Sequence, residues 1–156
     1  MRAPRAFVLA ACFAAACASA SFAPVPQELR GCWIERRGET TLSMRWFPEN
    51  AGSSWRGDML TYRPGAEPLG ETYSLGLSAG EDGGDAPPAW AICGRAANAD
   101  AASATDCRRV FFRDTNQVRR GGPWAELRAT PERLVFTEES EAGIITRFDG
   151  QRDGCD

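Results

Sequence analysis

From Gly31 onward the apolar residues recur at every second position, a spacing that suits a strand and not an α-helix. Leu42, Met44 and Trp46 alternate with Thr41, Ser43 and Arg45. Trp55, Gly57, Met59 and Thr61 alternate with Arg56, Asp58, Leu60 and Tyr62, and Tyr73, Leu75 and Leu77 form the next apolar face. Further short strands are expected over Trp90–Cys93, Arg108–Arg113, Ala125–Ala129, Leu134–Glu138 and Ile144–Phe148. Pro48–Ser54, Pro64-Gly65 and Ala79–Pro88 supply turn formers between the runs. Only Arg95–Ala104 has the composition for a helical turn, and its Asn, Asp and Ser residues disfavour even that. Eight or nine strands at roughly ten-residue spacing define an all-β domain, here an antiparallel up-and-down barrel with a β-sandwich as the alternative. A membrane barrel is disfavoured by short strands that carry charge on the would-be lipid face.

The first residues have a different grammar. Arg2 and Arg5 precede an apolar run from Ala6 to Ala16, and Ala18-Ser19-Ala20 is a small-x-small cleavage site. The run is shorter than the roughly 20 apolar residues that span a bilayer. Residues 1–20 therefore read as a signal peptide, 21–30 as an extended lead-in with two prolines, and 31–156 as one domain. The destination is periplasmic or extracellular. Leu9-Ala10-Ala11-Cys12 and Ala14-Ala15-Ala16-Cys17 keep a lipoprotein open, and lipidation at Cys17 would tether the protein to a membrane. Removal of the leader leaves Cys32, Cys93, Cys107 and Cys155, an even number suited to two disulfides. Three pairings are possible. Cys93 and Cys107 flank a small-residue loop while Cys32 and Cys155 lie near the domain ends, which favours Cys32–Cys155 with Cys93–Cys107. A metal site is disfavoured by the lack of C-x-x-C and of histidine.

Two absences narrow the chemistry. The chain has no histidine, and all 18 of its basic residues are arginine. It thus lacks an imidazole base, a lysine Schiff base and a P-loop lysine. A formal net charge of −3 argues against nucleic-acid partners. No cofactor is expected. Gly76-Leu77-Ser78-Ala79-Gly80 spells a nucleophile elbow, but it has neither a base nor an α/β setting, so it reads as a strand entering a turn. Glu81-Asp82-Gly83-Gly84-Asp85 lacks the ligand alternation of a calcium loop. Glu138-Glu139-Ser140-Glu141 reads as a charged turn, since adjacent carboxylates on a strand point to opposite faces. No catalytic residue is assigned, and the protein is not expected to be an enzyme.

Gly31-Cys32-Trp33 at the first strand resembles the G-x-W opening of lipocalins and the wider calycin barrels. With Arg45-Trp46-Phe47-Pro48, Gly57-Asp58-Met59-Leu60 and Phe148-Asp149-Gly150, it is similar to small secreted bacterial lipocalin-like domains. The chain departs from them at Ser43-Met44, where an acidic pair is usual, and in lacking their late His-Asp-Phe-Pro segment. The resemblance implies that Trp33 plugs the closed end of the barrel and that a last-strand arginine, Arg147 or Arg152, stacks across it. It also implies a binding protein for a small apolar or anionic ligand. The candidate ligand residues are Met44, Trp46, Met59 and Tyr73, with Arg109 from the basic run Arg108-Arg109, Arg113 and Arg119-Arg120 fixing an anionic group. A strand places Arg109 and Phe111 on one face and Arg108 and Val110 on the other. The alternative is a filled barrel that acts as an envelope protein–protein interaction or protease-inhibitor module.

Overall fold

The computed structural model describes residues 24–78, 88–96, 106–112, 123–140 and 142–155. Among these, nine strands close into one barrel: β1 (Gly31–Arg37), β2 (Thr40–Glu49), β3 (Ser54–Tyr62), β4 (Leu69–Ser78), β5 (Ala89–Ala96), β6 (Asp106–Phe111), β7 (Trp124–Ala129), β8 (Arg133–Ser140) and β9 (Gly143–Asp153). The barrel replaces the sandwich alternative. Residues 1–20 with Cys12 and Cys17, the acidic run Glu81–Asp85, and Arg113, Arg119 and Arg120 lie outside the described residues. Arg95 and Ala96, expected in a helical turn, instead end strand β5.

Neighbours are antiparallel all the way round except β6 and β7, which run parallel over Arg109↔Trp124, Val110↔Ala125 and Phe111↔Glu126. The reason is parity. A ring of wholly antiparallel neighbours needs an even number of strands, so nine strands require a parallel joint. Twelve residues separate the end of β6 from the start of β7 in the sequence, in keeping with the dozen or so a parallel connection takes. The up-and-down order expected from sequence therefore holds everywhere but at this joint.

The two-residue period sends alternate side chains inward. Trp33, Met44, Leu75, Leu127, Leu134, Phe136 and Phe148 are almost wholly buried in a single core. Cross-strand register explains how large rings fit so narrow a barrel. Across one belt Gly31 pairs with Trp46, Trp46 with Gly57, Gly57 with Tyr73, and Tyr73 with Gly94. Ring and glycine alternate, so each ring lies over a neighbour that has no Cβ. A Cβ on Gly57 would stand 2.8 Å from the Trp46 ring, and one on Gly94 would stand 3.1 Å from Tyr73 Cε1. We expect Gly57→Ala to lower stability by about 1–3 kcal/mol through overpacking. Urea unfolding monitored by circular dichroism would measure it, and an unchanged midpoint would refute the packing argument.

One end of the barrel is closed by a short 3-10 helix, Gln27–Leu29, whose Leu29 is fully buried. Trp33 Nε1 donates to the Leu29 carbonyl at 3.2 Å. The Arg152 guanidinium lies 4.1 Å above the Trp33 ring. Its nitrogens donate to the carbonyls of Glu28 (2.7 Å), Arg30 (3.0 Å) and Pro131 (2.6 Å). Arg152, and not Arg147, is thus the last-strand arginine that stacks on Trp33. Gly31 precedes the pair for two reasons: its φ of +142° disfavours a side chain, and a Cβ there would collide with Arg152 Nη1.

Both expected disulfides have formed. Cys32–Cys155 ties the start of β1 to the segment after β9 at a sequence separation of 123, and Cys93–Cys107 links directly opposed residues of β5 and β6. Their presence fits an oxidising, non-cytosolic compartment. The β1–β9 ladder is short, pairing Cys32–Ile34 with Gln151–Asp153. Beyond it, side chains span the seam. Glu35 accepts the Asp149 N–H at 2.7 Å, and Arg37, which also pairs with Glu35, donates to the carbonyls of Thr146 and Arg147 at 3.2 Å each. Backbone groups that β1 leaves unsatisfied are thereby paired.

Candidate functional site: a polar cavity at the open end

Strand direction sets the two ends of the barrel. The 3-10 plug, Arg152 and the Cys32–Cys155 bond lie at the start of β1 and the end of β9. The opposite end carries the β1–β2, β3–β4 and β8–β9 turns. At that end is a cavity of about 390 Å³, near the lower limit of the roughly 300–1,000 Å³ typical of small-molecule sites. Its apolar walls are Ile92, Phe136 and the Tyr73 ring, which meets Phe136 edge-on at 5.4 Å. Among the described residues its charged lining is Glu71, Asp106 and Glu138 together with Arg95, Arg108 and Arg147, equal in number.

Local backbone geometry explains how Arg147 enters. In the β8–β9 ladder Phe136 pairs with Phe148 but Thr137 pairs with Thr146, so Arg147 is an extra residue, a β-bulge. A bulge breaks the strict alternation and re-aims a side chain. Arg147 turns into the barrel beside Phe148. Its Nη2 donates to Glu71 Oε2 at 2.7 Å and to the Tyr73 hydroxyl at 3.3 Å. The Tyr73 hydroxyl in turn donates to Glu71. Arg108 faces inward from β6, pairs with Asp106 and donates to the Glu139 carbonyl. Glu138 stands between the two arginines, 3.6 Å from Arg108 Nε and 3.4 Å from Arg147 Nε.

These surroundings fix two protonation states. Burial pushes the Tyr73 phenol well above its ordinary value, and its hydrogen bond to Glu71 raises it further. Burial opposes the charge on Arg147, but the hydrogen bond to Tyr73 and the carboxylates of Glu71 and Glu138 outweigh it and raise its pKa. Tyr73 stays a neutral donor and Arg147 a cation at physiological pH. The pair can hold and orient a ligand, and neither member exchanges a proton there.

The residues named from sequence fall in different places. Tyr73 lines the cavity. Met44, Trp46 and Met59 face inward but are packed into the core, 3% exposed or less, and do not line the cavity. Arg109 lies on the outer face with its guanidinium 5.6 Å from the Phe111 ring, so the inward arginine of β6 is Arg108. Arg147, expected at Trp33, sits at the opposite end in the cavity. Glu138, read as part of a charged turn, is a cavity residue on β8, while Glu141 lies outside the described residues. Parity along β6 was readable in the sequence, but which face pointed inward was not. The bulge at Arg147 left no signal in the residue pattern.

Fold and site together define a disulfide-linked, mostly antiparallel nine-strand barrel that is filled at one end and hollow and polar at the other. No protein-family model matches the chain, and neither a curated protein nor a solved structure is significantly similar to it.

Proposed function

We propose that this is an exported, lipocalin-like binding protein that holds one small ligand at the open end of its barrel. The observation that carries the reading is the change in the interior. Aromatic and aliphatic side chains fill the barrel from the Trp33 plug up to Tyr73 and Phe136, and a cavity lined by ordered charges lies above them. With Met44, Trp46 and Met59 committed to the core, there is no room for a long apolar chain, and the ligand is compact. The Gly31-x-Trp33 start, the 3-10 plug and the stacked Arg152 support the calycin-like assignment. The leader pattern and both disulfides support export.

The test is direct. Tryptophan fluorescence and calorimetry against small apolar, anionic and zwitterionic compounds would detect saturable binding. Gly94→Val, which projects carbon into the cavity against Tyr73, should weaken that binding on the order of tenfold or more. Absence of saturable binding across the panel would overturn the proposal.

A second reading, an envelope protein-interaction or inhibitor module, is favoured by one observation. Leu69, Ile144 and Ile145 are 55%, 58% and 37% exposed, and all three sit on strand ends at the open rim. A one-to-one complex with an envelope protein that survives gel filtration and is lost in Leu69→Asp with Ile144→Asp would favour this reading over the first.

A further inference from the structure

We infer that Glu138 occupies the place of a ligand carboxylate between Arg108 and Arg147, and that the ligand is a small carboxylic acid with a flat apolar body. The inference rests on the reading of the cavity as a ligand site and names the chemistry of that ligand.

Three observations converge on it. Glu138 is the most loosely held acid of the cluster. Its oxygens lie 3.4 and 3.6 Å from the two Nε atoms, whereas Arg147 holds Glu71 at 2.7 Å, the length of a charge-assisted hydrogen bond. Arg147 Nε is buried and, among the described residues, has no hydrogen-bond acceptor, although Glu138 stands nearby. A buried donor left in that state is costly, and an acceptor brought in by a ligand relieves the cost. The shape of the cavity supplies the rest. Beside the arginines the same cavity is lined by Ile92, which pairs with Arg108 across β5 and β6, and by Phe136, the Tyr73 ring and Gly94, an apolar and partly aromatic surface suited to a flat body.

Charge balance decides how such a ligand enters. Among the described lining residues, Glu71, Asp106 and Glu138 match Arg95, Arg108 and Arg147 in number. An incoming anion added to this set would face three carboxylates. An anion that displaces one of them keeps the balance. Glu138 makes no close hydrogen bond to either arginine and sits near the end of β8, where the strand meets the turn at the rim. It is therefore the member that gives way, and its negative charge competes with the ligand for the same two guanidinium groups.

The experiment uses the disulfide-intact chain, with benzoate as the probe and benzyl alcohol as its neutral counterpart, both measured by calorimetry. Glu138→Gln removes the competing charge and should bind benzoate on the order of tenfold more tightly, with benzyl alcohol unchanged. Arg147→Gln should lose the preference for benzoate over the alcohol, and Arg108→Gln replaces it if that variant melts early. If Glu138→Gln misfolds, Glu138→Ala carries the same expectation. Unchanged or weaker benzoate binding in a folded Glu138 variant overturns the inference. Binding of the alcohol without benzoate also overturns it and leaves the cavity reading standing. Failure of both probes in every variant removes the cavity reading as well.

Discussion

Replacing Trp33 with alanine should lower stability by about 3–5 kcal/mol, the range for deleting a fully buried large aromatic side chain. Trp33 is wholly buried, its indole N–H closes onto Leu29, and Arg152 lies flat on its ring. Truncation would leave a cavity beneath the 3-10 plug and strip the cationic head of Arg152 of its aromatic partner. The plug itself should then loosen. Val25 and Leu29 bury themselves against the same core. Amide exchange would show this as lost protection at Leu29 and Arg30, whose N–H groups now donate to Pro26 and Gln27. Trp33→Phe separates the two contributions, since it keeps most of the packing and loses the indole donor. A loss below about 1 kcal/mol for Trp33→Ala would mean that the barrel end collapses without cost, against the packing seen here.

The second large effect belongs to Cys32–Cys155. Joint replacement by serine should cost about 5 kcal/mol in the chain-entropy account of a loop this long, against about 3 for Cys93–Cys107. The 123-residue separation against 14 sets the difference. The short β1–β9 ladder at that point offers little backbone pairing to compensate. Domains commonly have only about 5–15 kcal/mol in hand, so the Cys32/Cys155 variant should be near its unfolding midpoint at ordinary temperature. Urea unfolding of the two double variants, side by side, measures the contrast. Equal losses would show that strand pairing, and not chain closure, governs the barrel's stability.

Much of the architecture was legible because burial in a barrel follows a simple period. Leu42, Met44 and Trp46 announce one inward face, and Tyr73 with Leu75 another; all five are buried. The cysteine pairing was legible from position, because chain ends meet where a barrel closes. The cavity was much less so. Its residues come from β4, β5, β6, β8 and β9, which meet only in three dimensions. Glu138 looks like any acidic strand end until Arg108 and Arg147 are placed beside it. Arg109 and Arg108 are chemically identical neighbours, and only the closure of the barrel decides which of them faces inward. Arg147 was misplaced for a related reason. A strict two-residue period cannot show a bulge, and the bulge is what turns that side chain into the cavity. The parallel joint was hidden too, since parity depends on the total number of strands and no local segment encodes it.

The Cys32–Cys155 bond has a further meaning once the strands are read round the ring instead of along the chain. Starting at β7, the order β7-β8-β9-β1-β2-β3-β4-β5-β6 is an unbroken meander in which every consecutive pair is antiparallel. Only one of its links is not made by the polypeptide: the step from β9 to β1. There the disulfide stands in place of a connecting segment, with the two Cα atoms 5.4 Å apart. In that reading the bond is a hairpin turn written in sulfur. The first and last strands lie in the middle of the meander, and its true ends are the two strands that meet in parallel.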